Sequence, residues 1–332
     1  MLAARRARYA RVSDFLASRS DVELAAQVSA GRVGSVGVGG GSVVVDVDGV
    51  QVFAKRVPLT DRELAHPRST TNLFDLPLLC QYGIGSPGFN VWRELAANMI
   101  VTDGVLAGET ESFPLLYHWR VLPGRPPAAA EHADVDAAVA ALDSSPAVRA
   151  RLEALAAASH SLVLFCEYIP YPLAGWLGED PAGKAEMVER QLSEIVAFLR
   201  GRELLHMDGH FGNMRTDGER IYLADFGLAT SPRFDLSAAE RDFAERNAAH
   251  DADYAAMRLI NWLVAATCGV PVPTTGGPVA RNEFVRRCAD GHHPDGLPPA
   301  VAAVLTRHAP TAARMNSLYC RLFGGDVHAQ YP

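Results

Sequence analysis

The stretch His206-Met207-Asp208-Gly209-His210-Phe211-Gly212-Asn213, followed twelve residues after Asn213 by Asp225-Phe226-Gly227, decides the reading of this 332-residue chain. It supplies a carboxylate, a side-chain amide five positions later, and a second carboxylate beyond a tight turn at Thr216-Asp217-Gly218. Magnesium prefers oxygen ligands and keeps several waters, so one carboxylate, one amide oxygen and phosphate oxygens can complete its shell. Asp208 is then left to orient an acceptor hydroxyl and take its proton. The set suits Mg·ATP held against a hydroxyl acceptor.

The two motifs, H-x-D-x-x-x-x-N and D-F-G in this order, resemble the catalytic and metal-binding loops of the protein-kinase-like superfamily. The resemblance implies an α+β, two-lobed fold with a small β-rich N-lobe and a larger helical C-lobe. It makes Asp208 the catalytic base, Asn213 and Asp225 the magnesium ligands, and His206 a structural brace. The corresponding division is a helical extension over 1–30, an N-lobe over 31–169 and a C-lobe over 170–332, with Pro170-Tyr171-Pro172 at the boundary.

The N-terminal half contains the remaining parts that the resemblance asks for. Gly34, Gly37, Gly39, Gly40 and Gly41 precede a strand-like run Ser42–Val47, an Asp48-Gly49 turn and a second strand Val50–Val57. Glycines let backbone N–H groups approach phosphates, and the spacing allows several registers. No G-K-[ST] follows them, which removes support for a Walker-type loop. Lys55 lies in Val52-Phe53-Ala54-Lys55-Arg56, which resembles the strand whose lysine holds the α and β phosphates. By the same resemblance a helix carboxylate should hold this lysine. Glu94 in Trp92-Arg93-Glu94-Leu95 is preferred over Glu63, because Trp92, Leu95 and Met99 recur at helical spacing. Ser161–Ile169 resembles the strand and hinge that read adenine. Glu167 would then offer a carbonyl and Ile169 an N–H, with Cys166 gating the back of the pocket. Asp251 or Asp253 would brace the catalytic loop from below.

Elsewhere the pattern predicts helices over 1–28, Trp92–Leu106, one or two over 128–158, and Lys184–Leu205, with further helices to the C-terminus. Residues 58–89 show no period and read as a long connection or insertion. The arginines near the N-terminus read as a solvated helix face. Tyr117, Trp119 and Trp176 read as core or rim residues, and His292-His293 lacks spaced partners for a metal.

With 48% hydrophobic and 21% charged residues the composition is that of an ordinary globular protein. A net charge of −7 has the wrong sign for a nucleic-acid binder. Five scattered cysteines without a C-x-x-C pair fit a reducing cytoplasm. Neither a signal peptide nor a membrane span is expected.

The expected activity is an ATP- and Mg²⁺-dependent kinase that transfers the γ-phosphoryl group to a hydroxyl, Ser or Thr of a protein or peptide being preferred. The alternatives are a small-molecule phosphotransferase and a nucleotide-binding pseudokinase scaffold. Phe226-Gly227 favours the protein kinases. The pattern Asp208-x-His210-x-x-Asn213, which adds His210 to the catalytic set with Asp208 and Lys55, resembles the aminoglycoside and other small-molecule phosphotransferases, and no A-P-E motif follows. The complete set Lys55, Asp208, Asn213 and Asp225 weighs against a scaffold.

Overall fold

A computed structural model describes residues 2–37, 40–127, 129–272 and 277–332. The chain begins with two helices, α1 (Leu2–Ala17) and α2 (Asp21–Ala30). Ser20 and Glu23 form a reciprocal capping box that starts α2. Three strands follow, β1 (Arg32–Gly37), β2 (Gly40–Val47) and β3 (Val50–Leu59). Asp48 (φ 51°) and Gly49 (φ 75°) both take positive φ, as a two-residue hairpin turn requires. The first strand therefore starts in the glycine-rich segment itself, earlier than Ser42 as its sequence suggested. Gly37 pairs with Gly40, and Gly39 lies outside the described residues.

After a short α3 (Asp61–Ala65) and a looped stretch comes α4 (Val91–Ala107), capped by Asn90 and ended by left-handed Gly108 (φ 84°). Then follow β4 (Leu116–Pro123), α5 (Val135–Ala141), α6 (Pro146–Ala157) and β5 (His160–Glu167). The five strands make one antiparallel sheet in the order β1-β2-β3-β5-β4. A three-stranded sheet joins β6 (Tyr171–Pro172), β7 (Met214–Thr216) and β8 (Ile221–Leu223). The remaining helices are α7 (Leu173–Trp176), α8 (Pro181–Gly201), α9 (Ala238–Arg246), α10 (His250–Thr267), α11 (Val279–Ala289) and α12 (Pro299–Phe323). The fold is α+β. No helix among the described residues is long and apolar enough to cross a membrane.

Strand alternation in β3 divides its residues between two environments. Val52 and Ala54 are fully buried, while Phe53, Lys55 and Val57 line a cleft. Helix α4 lies on the sheet through Val91, Trp92 and Leu95, which pack with Leu59, Leu116, Leu162 and Leu164. This packing points the intervening Glu94 toward Lys55. The main core includes residues on both sides of Pro170, among them Val52, Phe165, Met207, Phe226 and Ile260.

The stretch that showed no sequence period is nonetheless ordered. Phe74, Leu76, Cys80 and Phe89 from this first insertion form a separate core with Val139, Leu142, Val148 and Leu152 of α5, α6 and the turn between them. Buried Glu63 ties the two together: it pairs with Arg151 at 2.8 Å and accepts from the Val91 N–H at 2.8 Å. Burial would raise the Glu63 pKa, but Arg151, Thr60 and Val91 more than offset this and hold it below the usual carboxylate range. This contribution to stability is full above about pH 4.3, the ordinary glutamate value, and is lost as pH falls through the lowered folded value. Glu63→Gln should cost about 3–5 kcal/mol of stability at pH 7, because Arg151 is left buried without a counter-charge. Its unfolding midpoint should also vary less with pH below 4.3 than that of the parent, which chemical denaturation at two pH values would measure.

Candidate active site

Lys55, Glu94, Asp208, Asn213 and Asp225 all line one cavity of about 990 Å³ between the five-stranded sheet and the loops that follow α8. Lys55 Nζ donates to Glu94 Oε1 at 2.6 Å and to Asp225 Oδ1 at 2.8 Å. Burial alone would lower the lysine pKa; Asp225 and Glu94 outweigh it and keep the ammonium charged. One lysine does not neutralise two carboxylates of unequal burial equally. Glu94 is the more deeply buried of the two, and its desolvation, only partly offset by Lys55, pushes its carboxyl up to about 7. Asp225, open to the cleft, is held below the usual range against burial, chiefly by Lys55.

The loop His206–Asn213 has its backbone held by a side chain of α10. Asp251, at the start of α10, accepts from the His206 N–H at 2.6 Å and the Met207 N–H at 2.9 Å. The nearby Asp253 instead accepts from Tyr331 Oη at 2.6 Å, so the bracing position belongs to Asp251. Neither residue caps α10, whose N-cap is Ala249. His206 is buried and contacts the Ala224 carbonyl through Nε2 at 3.0 Å, which links the two loops. Met207 (φ 66°) and Asp225 (φ 65°) occupy the left-handed region that side chains usually avoid. Met207 adjoins Asp208, and Asp225 is itself one of the groups lining the cavity.

Asn213 donates through Nδ2 to the Asp208 carbonyl at 2.9 Å and to Asp208 Oδ2 at 3.1 Å. Its amide oxygen is thereby turned away from Asp208. Burial, reinforced by the charge of Asp225, pushes the Asp208 carboxyl up to about 7. His210 accepts from the Gly212 N–H through Nδ1 at 2.9 Å, and its Nε2 stands 3.7 Å from Asp208 Oδ2. Burial pushes the His210 pKa down to about 4, so it is a neutral neighbour of Asp208.

A magnesium ion would find two side-chain oxygen donors here, from Asp225 and Asn213. Among the described residues no group of three or more His, Cys, Asp or Glu is arranged to hold a metal. This donor set fits an ion that completes its shell with phosphate and water oxygens, and does not fit a protein-only cage. His292-His293 likewise joins no such group.

Gly34 sits against Ser42, where a Cβ would lie 2.6 Å from Oγ, and lines the cavity. Gly40 (φ 114°) could not carry a side chain, since its Cβ would meet the Arg56 carbonyl oxygen at 2.2 Å. Cys166, Glu167 and Ile169 line the cavity as well. The Glu167 side chain, however, turns to α1. It accepts from Arg5 at 2.6 Å and Arg8 at 2.6 Å, and Arg5 also donates to the Phe113 carbonyl at 2.7 Å. The expected solvated arginine face is thus corrected at Arg5, which is only 4% exposed. An arginine that must be desolvated goes where carboxylate and carbonyl acceptors meet it, and here they come from residues more than a hundred positions away.

Gly83 was not singled out by its sequence. It closes over the site, and a Cβ there would lie 2.2 Å from Asp208 Oδ1. The run Tyr82-Gly83-Ile84-Gly85-Ser86-Pro87-Gly88 carried the signal, as a second glycine cluster. Gly88 similarly abuts the Gly227 carbonyl oxygen, 2.9 Å from its would-be Cβ.

Compared with known proteins, the chain matches no family model and no curated protein.

Proposed function

We propose that this protein is an ATP- and Mg²⁺-dependent phosphotransferase of two-lobed, protein-kinase-like architecture, acting on a hydroxyl acceptor. The observation that carries the reading is Lys55 Nζ bound to both Glu94 and Asp225 in the cavity that also contains the Asp208–Asn213 pair. These groups come from β3, α4 and two separate loops, and simple hairpin-turn residues would not converge in this way.

In this reading Glu94 holds Lys55 in place, and Lys55 binds the α and β phosphates. Asp225 and Asn213 would hold magnesium, and the ion, when bound, would supply positive charge to offset that of the phosphates. Asp208 accepts a hydrogen bond from the acceptor hydroxyl and orients its oxygen toward the γ-phosphorus. The new bond forms between that oxygen and phosphorus, the bond from phosphorus to the β–γ bridging oxygen breaks, and ADP leaves. The hydroxyl proton passes to Asp208. Serine or threonine of a peptide is the preferred acceptor. Titration with ATP should give saturable binding that requires magnesium and is lost with EDTA; binding that ignores magnesium would count against the reading.

A further inference from the structure

The two insertions, between β3 and α4 and between β4 and β5, form one cap with its own apolar core. Arg151 of α6 donates to the Gly88 carbonyl at 3.1 Å, and His132 contacts the Gly85 carbonyl at 2.9 Å, so the cap's glycine-rich edge is held from behind. That edge meets the reacting groups, with Gly83 against Asp208 and Gly88 against Gly227. Asp208 keeps 22% of its side-chain surface open, and it opens into the cavity that continues under the cap. Leu155 and Ala156 line this continuation without belonging to the cap's core. Of the cap residues that line the cavity, Glu131 is the one carboxylate among the described residues, set against Arg125, His132 and Arg151, while Glu94, Glu167 and Asp225 line it from outside the cap. On the cap itself a polycation would find a single carboxylate to pair with. An apolar wall in the same cavity as the open edge of Asp208 suits a hydroxyl-bearing side chain with an apolar neighbour on an extended backbone.

We propose that the cap is the acceptor-recognition element of the phosphotransferase described above, on which this inference rests. It takes Ser or Thr of an extended, uncharged peptide whose neighbouring apolar residue packs on Leu155 and Ala156. Gly83 is the positioning residue that leaves Asp208 undisplaced.

The test is a positional-scanning library of Ser and Thr peptides with γ-labelled Mg·ATP, with kanamycin as a polycationic acceptor and fluorescent mant-ADP binding measured in parallel. Apolar residues beside the hydroxyl should be selected and basic ones rejected. Leu155→Arg should raise the KM of the selected peptides at least about tenfold, with kcat and mant-ADP affinity near parental values, and Leu155→Met should restore the KM. Gly83→Ala should instead lower kcat by about a hundredfold with KM unchanged. Preference for basic flanks, label on kanamycin alone, or an unchanged KM in Leu155→Arg overturns the proposal. Magnesium-dependent mant-ADP binding with label on no acceptor overturns the peptide assignment while the nucleotide site stands. Loss of both binding and label overturns the phosphotransferase reading itself.

Discussion

Asp208→Asn is expected to lower phosphoryl transfer by roughly 10²–10⁴-fold, the usual contribution of a positioned general base, while Mg·ATP affinity stays at the parental level. The two halves of this result follow from different contacts. Asp208 touches Asn213 and Gly83 and stands near His210, but it makes no hydrogen bond to Lys55 or Glu94. Its loss therefore leaves the contacts of Lys55 untouched and, in the proposed function, removes the acceptor's partner. Asparagine retains an oxygen for the Asn213 amide, so the loop should keep its shape. Asp208→Ala serves as the harsher control and should show the same separation of turnover from binding. A variant that turns over normally would show that the proton goes elsewhere.

Asp225→Asn is expected to act on the other side of the reaction. It should weaken magnesium-dependent nucleotide binding and lower turnover by about 10²–10³-fold, the scale of losing one group that stabilises transition-state charge. Asparagine tolerates the left-handed backbone that position 225 requires (φ 65°), so the substitution tests charge rather than folding. Lys55 keeps Glu94 as its partner at 2.6 Å, and the lysine should stay in the cleft. Nucleotide titration across a magnesium series reads the effect directly. An unchanged magnesium dependence would remove Asp225 from the metal-binding role.

Much of this site could be read from the sequence because its members lie in short motifs or on strongly patterned elements. Lys55 and Glu94 are 39 residues apart; the resemblance implies a helix carboxylate for the lysine, and the spacing of Trp92 and Leu95 on a helix selects Glu94, although Met99, the next residue of that spacing, is exposed. The choice between Asp251 and Asp253 was open, since both occupy the first turn of one helix and only packing distinguishes them. Residues 58–89 appeared featureless for a physical reason. Their order comes from an apolar core shared with distant α5 and α6 and from side-chain bonds to backbone, such as Asn90 to the Ser69 and Thr71 carbonyls and Arg93 to the Thr70 carbonyl, and neither leaves a regular hydrophobic period in the segment itself. The Arg93–Glu240 pair and the Thr70–Asp235 contact then fasten this segment to the chain beyond Asp225-Phe226-Gly227. Partners at such separations carry no local signal. The same holds for Arg5, whose place against Glu167 turned an apparently solvated helix into part of the wall behind the cleft.

The most direct test of the central claim is transfer of label from γ-labelled Mg·ATP, with the purified protein and its Asp208→Ala variant incubated in parallel with host lysate separated into macromolecular and small-molecule fractions. Label should depend on both magnesium and Asp208 and appear in the macromolecular fraction. Dependence on both with label confined to small molecules would keep phosphotransfer and contradict the peptide acceptor, and no Asp208-dependent label in either fraction would contradict the account as a whole.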